Sequence, residues 1–321
     1  MRTFINKTVL ILFTFSIGIL SFVFLIHFIM KHASDFNISE KNKYLILGHS
    51  HPETAFNDNL IVSFKNLSSS GESYFFTYQK VKEIIPNNNI NAVFIEYTNN
   101  QIRKKMDQWI WGYEKMNAFF PWHSSFMGKE DMLYLYNKNP QDFPNVVSTS
   151  TRNNLVRIAS LDFKINQRYG GYDRLIKSDV AKLIKERNNN NNIHDTPKVQ
   201  GISIENLNYL EKIINYCNIN NVKVFLIRSP QHKYYSKENE KELLRIKKQK
   251  FENLDFLDFD KFPLEDDEYG DFGHLNYKGA EVFSLWFNEL IEKGLLTVEN
   301  KTDFIYKEMK KVSELDNLDI K

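Results

Sequence analysis

Leu45-Ile46-Leu47-Gly48-His49-Ser50-His51-Pro52 opens on an apolar run that, with Tyr44 before it, is too short for a helix and too continuous for a half-buried strand. It fits a strand buried on both faces of a parallel sheet. Gly48 ends the run, and Ser50 follows at the carboxyl edge, where open α/β folds bind ligands. Working outward, similar runs recur between stretches of helical spacing. Further strands are expected at residues 60–64, 92–95, 222–227 and 256–259. Helices are expected at 73–85, stopping before Pro86, at 204–217, and at 279–292 with Gly294 as C-cap. This alternation predicts an α/β fold, a three-layer α/β/α domain with a five-stranded, flavodoxin-like parallel sheet.

A second segment, Tyr269-Gly270-Asp271-Phe272-Gly273-His274-Leu275-Asn276, precedes the last helix. A serine hydroxyl needs a base, and a histidine base needs a carboxylate to fix its tautomer and stabilise its cation. Asp271 and His274, three residues apart on a glycine-containing turn, can face one pocket. Ser…Asp…His is one of the chain orders that build this triad. Ser50, Asp271 and His274 are therefore the candidate catalytic residues. The bland alternatives are a serine that only caps a helix and a structural histidine.

The two segments resemble the SGNH, or GDSL-like, hydrolase superfamily. The family's first block, Gly-Asp-Ser after the first strand, reads Gly48-His49-Ser50 here. Its last block, Asp-x-x-His before a glycine-initiated helix, reads Asp271-Phe272-Gly273-His274 and then Gly279-Ala280. The second block is matched by Asn66-Leu67-Ser68-Ser69-Ser70-Gly71-Glu72-Ser73, the third by Glu96-Tyr97-Thr98-Asn99-Asn100. The resemblance covers residues 43–100 and 201–295. It departs at His49, where the family has aspartate, and at the third block, which lacks its glycine. It implies a serine esterase or acyltransferase without cofactor or metal. The oxyanion hole would be formed by the amides of Ser50 and Gly71 with the side chain of Asn99, or alternatively Asn100. The layout is similar to that of membrane-tethered members that move acyl groups on cell-envelope polymers. That likeness implies an acylated carbohydrate or other ester as substrate.

His49 and His51 admit a different chemistry. A His-x-His with Glu53 nearby can bind a metal, which gives a metal-dependent hydrolase as one alternative. A catalytically inactive binding or assembly protein on the same fold is the other. Without a metal, His49, His51, Arg228 and His232 are candidate substrate-binding residues, although Arg228 reads equally well as a surface group. His123 and His194 stand in no motif, and the acidic run at 265–268 reads as a solvated loop. Cys217, in an apolar helical pattern, reads as a small core residue rather than a nucleophile.

Residues 9–30 form a nearly unbroken apolar run, long enough to cross a bilayer. It ends in Met30-Lys31-His32-Ala33-Ser34, a poor cleavage site, so it reads as an uncleaved single-pass membrane anchor. Residues 1–8 flank it and 31–42 read as a linker. Arg2 and Lys7 precede the run and only Lys31 follows closely, so the charge bias puts the N-terminus in the cytoplasm and the domain outside. The hydrolase domain is then 43–295, with a helical insertion at 101–200 and a charged tail at 296–321. The insertion holds Trp109, Trp111 and Trp122, the Gly170-Gly171 pair and an asparagine tract at 188–192 that reads as a solvated loop. Its aromatics either pack over the site or form a peripheral layer. A net charge of +2 with acids and bases interspersed excludes a nucleic-acid-binding field. No protein partner is indicated.

Overall fold

The computed structural model describes residues 1–165, 168–189 and 201–316. His194 and part of the asparagine tract lie outside the described residues. The strands are β1 (Tyr44–Leu47), β2 (Phe64–Asn66), β3 (Ala92–Glu96), β4 (Lys223–Arg228) and β5 (Asp255–Asp258). The helices are α1 (Arg2–Ala33), α2 (Ser50–Ala55), α3 (Tyr74–Asn87), α4 (Asn99–Ile102), α5 (Met106–Trp111), α6 (Tyr113–His123), α7 (Lys129–Lys138), α8 (Phe143–Ala159), α9 (Val180–Asn189), α10 (Ile204–Ile219), α11 (Glu240–Lys250), α12 (Tyr277–Glu292) and α13 (Lys301–Asp316). They divide into two compact units, Met1–Phe36 with Trp111–Arg168, and Asn37–Ile110 with Tyr169–Lys321.

The second unit holds the sheet. All its strands pair in parallel, in the order β2-β1-β3-β4-β5. The order reverses between β1 and β3, which opens a crevice at the carboxyl ends of those two strands. Register sets like residues side by side: Ile46 lies opposite Phe94 and Phe94 opposite Phe225. Side chains alternate along a strand. Ile46, Phe94, Phe225 and Ile227 therefore share one face, where they pack with Ala55, Phe56 and the α12 residues Phe283 and Phe287. Leu45, Val93, Ile95 and Leu226 point to the opposite face, on which α3 and α10 pack together. The result is the expected α/β/α sandwich.

Two elements depart from the sequence reading for clear reasons. β2 begins at Phe64 rather than 60, because Ser63 takes a positive φ of 66° and its carbonyl accepts from Lys43 N–H and Tyr44 N–H. The residues before it form a turn closed by Leu60 N–H on the Asn57 carbonyl. α3 runs through Pro86. Proline lacks the N–H that would bond the Lys82 carbonyl, and the Tyr216 hydroxyl of α10 reaches that carbonyl instead, at 3.3 Å. α13 occupies the segment read as a charged tail. It packs on β5, buries Ile305 and sets Lys301 Nζ 3.1 Å from Asp255 Oδ2. Cys217 is fully buried on α10, and burial pushes its thiol up to about 12.

The first unit is helical: α8 packs against both α1 and α6. α1 is long and apolar enough to cross a membrane. Only Ile26 and Met30 of α1 are buried, while residues such as Leu20 and Phe24 are exposed. Residues after α1 are tied down. Asp35 N–H donates to the Phe163 carbonyl at 2.8 Å, and Ile165 N–H donates to the Asp35 carbonyl at 3.2 Å. Trp122 lies between the Arg157 and Arg168 guanidinium groups, at 5.3 and 5.9 Å.

Phe94 stands at the centre of the sheet, fully buried, with ring centroids of Phe64 and Phe225 at 5.0 and 4.8 Å. Phe94→Ala should lower stability by about 3–5 kcal/mol, measured as a shift in denaturant midpoint with unchanged slope.

Candidate active site

Gly48 closes β1 against Glu96 at the end of β3. A Cβ on Gly48 would lie 2.5 Å from Glu96 Cβ and 2.7 Å from Pro52 Cγ, so only glycine lets these groups approach. The chain then turns directly into α2, whose first residue is Ser50. The partners come from the turn before α12. Gly270 N–H donates to the His274 carbonyl at 2.9 Å. Asn276 caps the helix by accepting from Lys278 N–H and Gly279 N–H. Within this turn Asp271 Oδ1 accepts from Gly273 N–H (2.9 Å), His274 N–H (3.1 Å) and the His274 ring at Nδ1 (2.8 Å). His274 Nε2 lies 2.7 Å from Ser50 Oγ.

Ser50, His274 and Asp271 thus meet in one hydrogen-bonded chain that solvent can reach, since the Asp271 and His274 side chains are each 26% exposed. With Nδ1–H on the carboxylate, Nε2 is the ring's free acceptor and can take the hydroxyl proton. Burial alone raises the Asp271 carboxyl. The hydrogen bond and charge of His274, the Gly273 N–H and Lys177 outweigh it and hold the group well below the usual carboxylate range.

Behind Ser50 lies a cluster on which the sequence reading placed no carboxylate of β3. Glu96 is fully buried, and Oε1 lies 3.3 Å from His49 Nε2, 3.1 Å from His51 Nδ1 and 3.2 Å from the Thr98 hydroxyl. Its Oε2 accepts from His49 N–H at 2.7 Å. Burial raises the Glu96 carboxyl, but the two imidazoles and the His49 N–H bring it down to about 2. The three residues place metal-competent atoms within 4.8 Å of one another, and His₂Glu is a donor set zinc accepts. In this structure both rings lie within ion-pair distance of the Glu96 carboxylate. Glu53, the third ligand expected from sequence, instead accepts from the Ser70 hydroxyl. The signal for Glu96 was an acidic residue closing an otherwise apolar, buried strand.

The remaining candidates separate. Gly71, with φ of 82°, sits in the turn after β2, which is tied to the end of β1 by Ser69 N–H on the Gly48 carbonyl at 3.0 Å. Lys80 clamps the same loop, donating to Glu72 Oε2 and the Leu67 and Tyr169 carbonyls. Asn99 is buried, and its Nδ2 donates to the Glu238 carbonyl (2.8 Å) and Glu240 Oε2 (2.9 Å). Both of its N–H groups are therefore spent, and what remains is an acceptor, the wrong polarity for an oxyanion. Asn100 bonds the Tyr235 hydroxyl. Arg228, expected as surface or substrate-binding, is 4% exposed and spent on Asp258 and Glu240. His232 is buried, donates toward Asp266 Oδ1 at 3.0 Å and stacks on Phe272 at 5.0 Å, so it buttresses the Asp271–His274 turn. Asp266 lies in a short 3-10 turn, Asp266–Glu268, none of whose residues is buried, as expected of a solvated acidic run. A cleft of about 430 Å³ beside His232, lined also by Gln231, Lys237 and Lys261, does not include Ser50 or His274. His123 is buried in the helical unit. Of the three tryptophans at 109–122, Trp109 meets the His49 ring edge-on at 5.9 Å.

A family model that carries no functional description matches residues 168–296, which include Asp271 and His274 but not Ser50. No curated protein matches the chain. Two solved structures are similar. One is a protein of Bacteroides fragilis NCTC 9343 assigned as an acylhydrolase, at 10% identity over 80% of this chain and 89% of that chain, TM-score 0.34. The other is a GDSL-like lipase of Bacteroides thetaiotaomicron VPI-5482, at 11% identity over 85% and 98%, TM-score 0.33. At that level neither carries its chemistry to this chain.

Because folding depresses the Glu96 carboxyl from 4.5 to about 2, its ionised form stabilises the fold above the ordinary carboxylate value. That contribution is lost as pH falls toward the folded value. Glu96→Gln should therefore melt below wild type near neutral pH, and the gap should narrow on acidification to about pH 3. Thermal unfolding of the full chain in detergent at both pH values checks this.

Proposed function

We propose that the chain is a membrane-anchored, SGNH-like serine esterase or acyltransferase that adds or removes O-acyl groups on cell-envelope glycans. The observation that carries the reading is the unbroken chain from Ser50 Oγ through His274 to Asp271, with links of 2.7 and 2.8 Å. His274 Nε2 takes the Ser50 proton as Oγ bonds to the ester carbonyl carbon. Asp271 holds the Nδ1–H tautomer and stabilises the imidazolium. The tetrahedral adduct collapses, the ester C–O bond breaks, and His274 returns the proton to the leaving alcohol. Water or a sugar hydroxyl then takes the acyl group by the reverse sequence, with His274 again as base.

The anchor is α1. Its charge distribution, with Arg2 and Lys7 before the apolar run, favours a cytoplasmic N-terminus and a domain outside. An alkaline phosphatase fused at the C-terminus should be active and a cytoplasm-dependent fluorescent reporter dark; the opposite pattern would reverse the orientation.

Ser50→Ala and His274→Ala should abolish hydrolysis of p-nitrophenyl acetate by the detergent-solubilised chain while leaving its melting curve cooperative. Asp271→Asn should lower kcat by roughly 10⁴-fold, through the wrong tautomer. A fluorophosphonate probe should label wild type and not Ser50→Ala. Full turnover by Ser50→Ala would remove the serine mechanism.

A further inference from the structure

In the helical unit, α6, α7 and α8 run up and down beside the C-terminal part of α1. His27 Nδ1 lies 3.0 Å from Ser125 Oγ, just after α6, and His27 Nε2 lies 3.5 Å from the Thr151 hydroxyl of α8. Further on, Phe36 meets Phe126 edge-on at 4.8 Å, and Asp35 N–H reaches the Phe163 carbonyl beyond α8. α8 therefore runs in the same sense as α1, and its first residue, Phe143, lies about 12 Å before Thr151, back toward the middle of the apolar run. α7 starts close after Phe126 and returns to that same end, where the Tyr136 ring lies 5.8 Å from Phe143. Asn139 Nδ2 donates to the Trp111 carbonyl there at 2.9 Å, and Lys138 Nζ lies 4.8 Å from the Trp111 ring.

We propose that this end of the helical unit, the α7–α8 corner, rests in the headgroup interface of the bilayer that α1 spans. The proposal rests on the reading of α1 as the membrane anchor and adds a second contact with the lipid. No residue of α1 before Ile26 is buried. Residues 2–25 alone extend about 36 Å, enough to cross a hydrocarbon core of about 30 Å. The packed part of α1 then stands at and beyond the membrane surface. The corner, which reaches back along α1, is the first part of the unit to meet that surface. Its side chains suit the depth. Leu133, Tyr136 and Tyr113, two residues after Trp111, are exposed. Tyrosine and tryptophan favour the interface, where the ring meets acyl chains and the polar tip meets water, and a lysine can reach from there to lipid phosphate. Val156 and Leu161, exposed at the opposite end of α8, point away from the bilayer on the same geometry. A lipid surface fits this corner better than a second copy of the chain, because α1 already carries the bilayer to its level.

The test is spin-label accessibility in the full chain, reconstituted in vesicles of phosphatidylethanolamine and phosphatidylglycerol, with melting curves as folding controls. The native Cys217 is fully buried, so a nitroxide reagent goes to the introduced cysteine. Labels are placed by Leu133→Cys and Tyr136→Cys at the corner, by Val156→Cys and Leu161→Cys at the far end of α8, and by Gly18→Cys in α1, where an added Cβ meets nothing within 4 Å. Oxygen concentrates in the bilayer and a nickel chelate in water, so the ratio of their relaxation effects reads depth. The ratio at Leu133→Cys and Tyr136→Cys should lie above that at Val156→Cys and Leu161→Cys, and below that at Gly18→Cys. A high ratio at Gly18→Cys with corner values equal to those of Leu161→Cys would overturn the docking and leave the anchor standing. A water-like ratio at Gly18→Cys would overturn both. Spin–spin broadening at Tyr136→Cys that disappears on dilution with unlabelled chain would put a second copy on the corner and overturn the lipid assignment.

Discussion

The absence of a side chain at Gly48 is the constraint on which the site depends. β1 and β3 are neighbours at the point where strand order reverses, and Glu96 fills the space a Cβ at residue 48 would need. That contact lets one carboxylate reach the His49 main chain and both flanking rings. It also fixes the angle at which α2 leaves the sheet with Ser50 as its first residue. The Tyr74 hydroxyl holds the other end of Glu96, donating to its carbonyl at 2.5 Å.

Charge along this edge of the sheet is buried in compensated groups. Glu96 ends β3 among two imidazoles, and Arg228 ends β4 between Asp258 and Glu240. The loop after β2 is held by Lys80 against Glu72. Removing one partner from such a group strands a charge away from water, which costs far more than an intact pair contributes. These groups therefore act chiefly to specify geometry, each holding strand ends or a loop at the carboxyl edge of the sheet, while the layers themselves are held by aromatic and aliphatic packing.

How much was legible follows from the range over which each signal operates. β1, β3 and β4 could be read because a strand buried on both faces is a continuous apolar run, wherever its neighbours lie; β2, Phe64-Lys65-Asn66, has no such run and was placed too early. Asp271 and His274 could be read because both belong to one turn, and Ser50 because it follows its strand by three residues. Glu96, Arg228 and Asn99 were assigned less well because their roles depend on pairing register and on chain hundreds of atoms away. Arg228 meets Glu240 only because α11 begins beside the end of β4, and Asn99 is claimed by that same segment. Pro86 shows the same limit, since a hydroxyl from a distant helix, Tyr216, replaces the bond that proline forfeits.

The two links of the hydrogen-bonded chain differ sharply in origin. His274 finds Asp271 three residues away, a contact any chain that has formed the turn can make. The bond from His274 to Ser50 joins residues 224 apart in sequence, and it requires the ends of the sheet domain to be docked together. Contacts of such separation form only after the loop-closure entropy between them has been overcome. The Ser50–His274 bond is thus among the last parts of the molecule to assemble, and its presence reports completion of the whole domain where circular dichroism would report only its helices.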